Sequence, residues 1–230
     1  MPGPQTILIL DASSLTPHAR AAMLISQDQS LTTHIMREEA GHDGIAHLPQ
    51  LAAACLEEIT PDLIAVLTGP GSFTGLRTSC ALAEGLALGT GCDVTGLSRG
   101  EALAEALHAQ AQDNGLDGWI CLSTARQGRW FIEGASLRDG PLTPEASPAG
   151  TWEPPPGRWF IAGDADGNDL TTRFPGRITL SGRTAPEPQE IARAALTKYD
   201  SGDRTRPVLP LYIDPPEAKL PAGGLRPRPV

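Results

Sequence analysis

The apolar positions follow two periods. Thr6-Ile7-Leu8-Ile9-Leu10 is an unbroken apolar run closed by Asp11, the pattern of a strand buried on both faces. Residues 21–26 and 31–36 read as two more strands, joined by the polar turn Gln27-Asp28-Gln29-Ser30. From residue 44 the period lengthens. Ile45, Leu48, Leu51, Ala52, Cys55, Leu56 and Ile59 form one stripe at helical spacing. Pro49 sits early enough in that helix to be tolerated, and Thr60-Pro61-Asp62 ends it. Residues 63–67 are a fourth strand. The loop Thr68-Gly69-Pro70-Gly71-Ser72-Phe73-Thr74-Gly75-Leu76-Arg77-Thr78 follows and opens a second helix over about 74–88.

That second helix is apolar or small almost all the way round, with Arg77 and Glu84 marking a polar edge. Such a helix is normally covered on all sides, either inside its own chain or by another subunit. Small residues (Gly75, Ser79, Ala81, Gly85 and Ala87) would let further backbone come close. Residues 94–97 read as a fifth strand. Ser98 with Glu101 has the form of a capping box for a helix reaching about residue 112. Three strands, then alternating helices and strands, is the ribonuclease-H-like order from which actin-like (ASKHA) two-lobe α/β proteins are built.

The second half is less regular. Residues 119–123, 129–134, 158–162 and 177–180 read as strands and 187–199 as a helix. Six prolines over 139–157 read as an extended loop. The expected organisation is a first lobe over 1–104, a reduced second lobe over 105–205 and a Pro-rich, extended tail over 206–230. No repeat is visible.

Composition narrows the function. The 230 residues carry a net charge of −9 and only 4% aromatics. An autonomous nucleic-acid binder would show a basic face, and none is present. Cys55, Cys80, Cys92 and Cys121 form no C-x-x-C pair, and the five histidines lack metal-ligand spacing, so no zinc site is expected. No signal peptide or membrane-length apolar run is seen, so a soluble, cytoplasmic protein is expected.

The glycine loop invites two readings. Free amides at a helix start can bind an anion, and glycines can also let the chain turn and pack closely. Its spacing is neither Walker A nor G-x-G-x-x-G. Asp11 and Ser13 stand where an actin-like ATPase keeps a phosphate loop, but no glycine follows them, and Leu122-Ser123-Thr124-Ala125 supplies no second acid. Half a phosphate clamp is not an ATPase. No nucleophile–base–acid set is visible either. Asp164, Asp166 and Asp169 resemble a calcium loop without its closing Glu and read as a turn.

These residues resemble the bacterial TsaB (YeaZ) family. Gly69-Pro-Gly-Ser-Phe-Thr-Gly-Leu-Arg77 is the specific motif. Residues 7–13 look like the family's opening Ile-Asp-Thr-Ser strand. Ser98-Arg-Gly-Glu-Ala-Leu-Ala104 matches a family helix, and Pro210-Leu-Tyr-Ile-Asp-Pro-Pro-Glu-Ala-Lys219 is similar to its closing motif.

The resemblance implies the actin-like two-lobe fold and a non-catalytic role. Its partner would be a TsaD-type transferase, which makes N6-threonylcarbamoyladenosine at position 37 of tRNAs reading ANN codons. It implies a homodimer when alone, a TsaE-type ATPase in the cycle, ATP and Mg used by the wider complex and no cofactor of its own, with tRNA met only indirectly. By matching positions, the partner interface would involve Leu48, Leu51, Ala52, Cys55, Leu76, Cys80, Ala83 and Ala87. A nucleotide site at Asp11 and Ser13 would be vestigial. Thr124-Ala125-Arg126 departs from the family's Asp-Ala-Arg, and Ile213 from its closing Arg. The runner-up is an actin-like nucleotide-binding kinase or ATPase.

Overall fold

The computed structural model describes residues 3–14, 18–28, 30–57, 59–125, 128–203 and 208–213. Strands β1 (Thr6–Asp11), β2 (His18–Gln27), β3 (Ser30–Ala40), β4 (Leu63–Gly69) and β5 (Asp93–Ser98) form one sheet in the order β3-β2-β1-β4-β5. The first three are antiparallel, while β4 and β5 run parallel to β1. Both faces of β1 are buried, which is why its sequence is uniformly apolar rather than alternating. Leu8 and Leu10 face a cluster with Leu48, Ala52 and Cys55 of α1 (His42–Leu56) and Cys80, Ala83 and Ala87 of α2 (Phe73–Thr90). Ile7 and Ile9 face Ile191, Ala192 and Ala195 of α5 (Pro188–Asp200).

A second sheet contains β6 (Gly118–Thr124), β7 (Arg129–Ser136), β8 (Gly140–Pro141), β10 (Trp159–Ala162) and β11 (Ile178–Leu180) in the order β11-β10-β6-β7-β8. The short β9 (Glu145–Pro148) also pairs with β7. Strand β7 is antiparallel to β6, whereas β10 and β11 are parallel to it. This is the first sheet's plan again: a central strand, an antiparallel meander on one side and two parallel strands on the other. The duplication is plain in topology and absent from the sequence. The expected α/β two-lobe class is the one found.

The lobes exchange helices. α3 (Arg99–Asp113) follows the first sheet but packs Leu103, Leu107 and Ala111 on Trp119, Cys121 and Phe160 of the second. α5 follows the second sheet but covers the first. Residue 104, where the sequence reading divides the lobes, lies inside α3. The capping box opening α3 is present, with Ser98 accepting from Glu101 N–H.

The Pro-rich stretch is more ordered than expected from its prolines. β8 and β9 pair with the edge of β7, where prolines do not interrupt a ladder. The loop that follows stands where the first lobe has α1. Trp152 packs edge-on against Trp130, with centroids 6.3 Å apart. Proline-rich backbone offers carbonyls but few N–H groups, and guanidinium donors serve those carbonyls. Arg173 bonds the carbonyls of Ala149 and Trp152, and Arg177 bonds those of Pro154, Pro155 and Gly157. The 164–169 turn leads into a short helix missed in the sequence, α4 (Asn168–Arg173). Asp166 accepts from Asn168 N–H, and Asp169 pairs with Arg173.

Candidate docking face and closed cleft

The glycine loop lies flat on the chain that leaves β1. Ser72 N–H donates to the Ser13 carbonyl at 3.0 Å, and Ser72 Oγ caps α2 by accepting from Gly75 N–H at 3.4 Å. A Cβ on Gly71 would stand 1.8 Å from the Ser13 carbonyl oxygen, and one on Gly75 would stand 1.9 Å from that of Ala12. These glycines are therefore required by close packing. The amides of Ser72 and Gly75 are spent on the chain itself, which favours the packing reading over an anion cradle. Asp11 is committed too. One carboxylate oxygen accepts from Ser13 N–H and Oγ–H at 2.9 and 2.7 Å, and the other accepts from Arg20 at 3.1 Å. The structure brings Asp11 and Ser13 together, bonded to each other.

Between the lobes, buried Arg99 and Glu133 lie near half-buried Asp164. Arg99 pairs with Asp164 and donates to the Pro70 carbonyl at 3.4 Å. Asp164 also accepts from Thr124 N–H at 2.8 Å. Glu133, on β7, accepts from Ser98 Oγ and from Gly100 N–H at 3.0 Å, so an acid of the second lobe holds the start of α3. A Cβ on Gly100 would come within 2.6 Å of the Glu133 carboxyl carbon. Asp164 was expected only as a turn residue. Glu133 carries one signal in the sequence, a lone acid closing the apolar run Trp130-Phe131-Ile132. Arg126 lies outside the described residues.

Burial pushes the Glu133 carboxyl above the usual range, and its bonds to Ser98 and Gly100 pull it only part of the way back. A raised folded pKa means stability that is full below the unfolded value and lost as pH rises through the folded one. Glu133→Gln is therefore expected to flatten the loss of stability above about pH 4.3, the ordinary Glu value. Urea melts from pH 4 to 7 check this. A variant with the wild-type slope would contradict it.

α2 shows its other half to solvent. Thr74, Arg77, Ala81, Gly85, Leu88 and Gly89 are exposed, and a Cβ at Gly85 or Gly89 would meet no atom within 4 Å. The two charges on its edge are both tied to residues 208–213. Glu84 accepts from Val208 N–H at 2.6 Å, and Arg77 Nε donates to the Tyr212 hydroxyl at 2.7 Å. Leu211 N–H bonds the Thr68 carbonyl, and buried Val208 sits where a Cβ on Gly96 would strike it. The Arg77 guanidinium stacks 3.9 Å over the Phe73 ring, whose centroid is 5.5 Å from that of Tyr212. Of six large apolar side chains exposed among the described residues, four belong to α2 and this strap: Leu88 at 80%, Leu209 at 65%, Tyr212 at 45% and Phe73 at 39%.

The residues expected at a partner interface lie on the inner side of α1 and α2. Leu48, Ala52, Cys55, Leu76, Cys80, Ala83 and Ala87 are core residues of this chain, and Leu51 is half-buried at the core's rim. Helix periodicity marks the face that is buried without saying by what, and here the sheet covers it. The faces shown to solvent lie on the opposite side of the same helices. The tail expected from residue 206 is docked over 208–213, while 206–207 and 214–230 lie outside the described residues.

The thiols of Cys80 and Cys121 are pushed up to about 12 by burial, so both stay protonated. Among the described residues no His, Cys, Asp and Glu cluster is placed to hold a metal, and no helix is long and apolar enough to cross a membrane.

Residues 38–127 match the family model of TsaD, the tRNA N6-adenosine threonylcarbamoyltransferase. YeaZ from Pseudomonas aeruginosa has the same fold, with a TM-score of 0.65 at 22% identity over 90% of this chain and 99% of that one. A second solved structure, described as similar to peptidase YeaZ from Pseudomonas aeruginosa, gives 0.69 at 22% identity over 91% and 100%. No curated protein matches. The solved structures and the family match agree with the resemblance carried by the glycine loop.

Proposed function

We propose that this chain is a TsaB (YeaZ)-type subunit, a non-catalytic scaffold of the machinery that makes N6-threonylcarbamoyladenosine at position 37 of tRNAs reading ANN codons. Its role is to dock on a TsaD-type transferase. The observation that carries this reading is the outer half of α2, where the exposed residues are small or apolar and both charges are drawn aside by the strap. The match over 38–127 spans α1, α2 and α3. A TsaD-type partner therefore carries a counterpart of this face, and two such faces pair about a two-fold or pseudo-two-fold axis. The same geometry makes a homodimer when the chain is alone. Chemistry, ATP and Mg belong to the wider complex, in which a TsaE-type ATPase takes part. The charge of −9 leaves tRNA to the partner, in the cytoplasm.

Light scattering on an equimolar mixture with a TsaD-type protein tests this. The expected result is one species at the summed mass. Persistent separate species would overturn it. Calorimetry with Mg-ATP and the isolated chain is expected to show no binding heat, because Asp11 is already paired with Arg20 and the Ser72 and Gly75 amides are engaged. Saturable binding there would support the kinase or ATPase reading instead.

A further inference from the structure

We infer that the strap, residues 208–213, is itself part of the docking face and supplies the anchor by which the partner is held. This rests on the docking role proposed above and adds the segment that does the gripping. The strap does more than pack. It hydrogen-bonds both edge charges of α2, through Val208 N–H to Glu84 and from Arg77 to the Tyr212 hydroxyl, so each is held in place at the edge of the helix. It also builds a fixed cluster, with Arg77 over the Phe73 ring and Tyr212 beside both, and the two rings still exposed. Exposed Tyr and Arg held in one geometry are the residues that dominate binding energy at interfaces, because little ordering remains to be done on association.

Leu209 argues in the same direction. The strap is fixed on either side of it by buried Val208 and by the Leu211–Thr68 bond, yet Leu209 is turned outwards. A segment pinned at both ends that presents a bare leucine is poorly explained by folding alone. The occupant is the TsaD-type subunit, whose own α2 counterpart would lie along α2 here and reach the strap at its edge. A strap that is only a structural clamp would leave binding untouched when Leu209 is shortened.

The experiment compares three full-length variants with wild type by biolayer interferometry against an immobilised TsaD-type protein, with thermal melts in parallel. Leu209→Ser and Tyr212→Ala are each expected to weaken binding by about 10-fold or more. Leu209→Ser should melt as wild type does, since its side chain is already in water. Tyr212→Phe, which keeps the ring and loses the bond from Arg77, should fall between wild type and Tyr212→Ala. Wild-type affinity in Leu209→Ser and Tyr212→Ala, with wild type binding normally, would overturn the strap's role and leave the docking role intact. No binding by wild type itself would overturn both.

Discussion

Ala81→Glu is expected to leave the chain folded and to abolish its association with a TsaD-type partner. Ala81 is exposed at the middle of the outer face of α2. A carboxylate there stays in water in the free chain, where surface changes are worth within about 0.5 kcal/mol. In the complex it would be desolvated opposite an apolar helix. An unpaired buried charge costs about 3–5 kcal/mol, which is roughly a thousandfold in affinity. Ala83→Glu, two residues on, should behave in the opposite way. Ala83 is fully buried among Leu48, Ala52 and Val66, so the new charge should unfold the chain. Light scattering with the partner and a circular-dichroism melt of each variant separate the two. Ala81→Glu that still binds, or Ala83→Glu that melts like wild type, would show that the helix faces have been assigned the wrong way round.

Gly71→Ala and Gly75→Ala should each destabilise the chain by about 3 kcal/mol, because each new methyl group meets a backbone carbonyl and no flexible side chain can move aside. For a chain of this size that is roughly 6–12 °C in Tm. Gly85→Ala, on the open face, is the control. It adds helix propensity without a clash and should raise stability by a few tenths to about 1 kcal/mol. If Gly71→Ala melted like wild type, the loop would not lie on the segment after β1, and its amides would again be available to an anion.

The first lobe was legible because its signals are local. An apolar run ending at Asp11, a 3.6-residue stripe from Ile45 and a Ser98–Glu101 box each specify an element within a few residues. The second lobe was harder to read because Pro154, Pro155 and Pro156 follow turn statistics, while their placement is decided by Arg177, some 20 residues later. The candidate site split along the same line. The loop motif was readable. Which side of α2 faces the sheet was not, since Ala, Gly and Leu occur on both sides. Arg77 and Glu84 looked like a solvated edge, and only contact with residues more than 120 positions away reveals their task. Glu133 and Asp164 are joined to α3 by contacts of the same long-range kind.

The exchange of α3 and α5 bears on biogenesis. Ile7 and Ile9 are made well before Ile191, whose helix covers them. Until then one face of the first sheet has no lid, and its strands are a hazard for mispairing. A ribosome stalled before residue 188 would leave that face of the first sheet bare. Chaperone demand should fall on that window of synthesis.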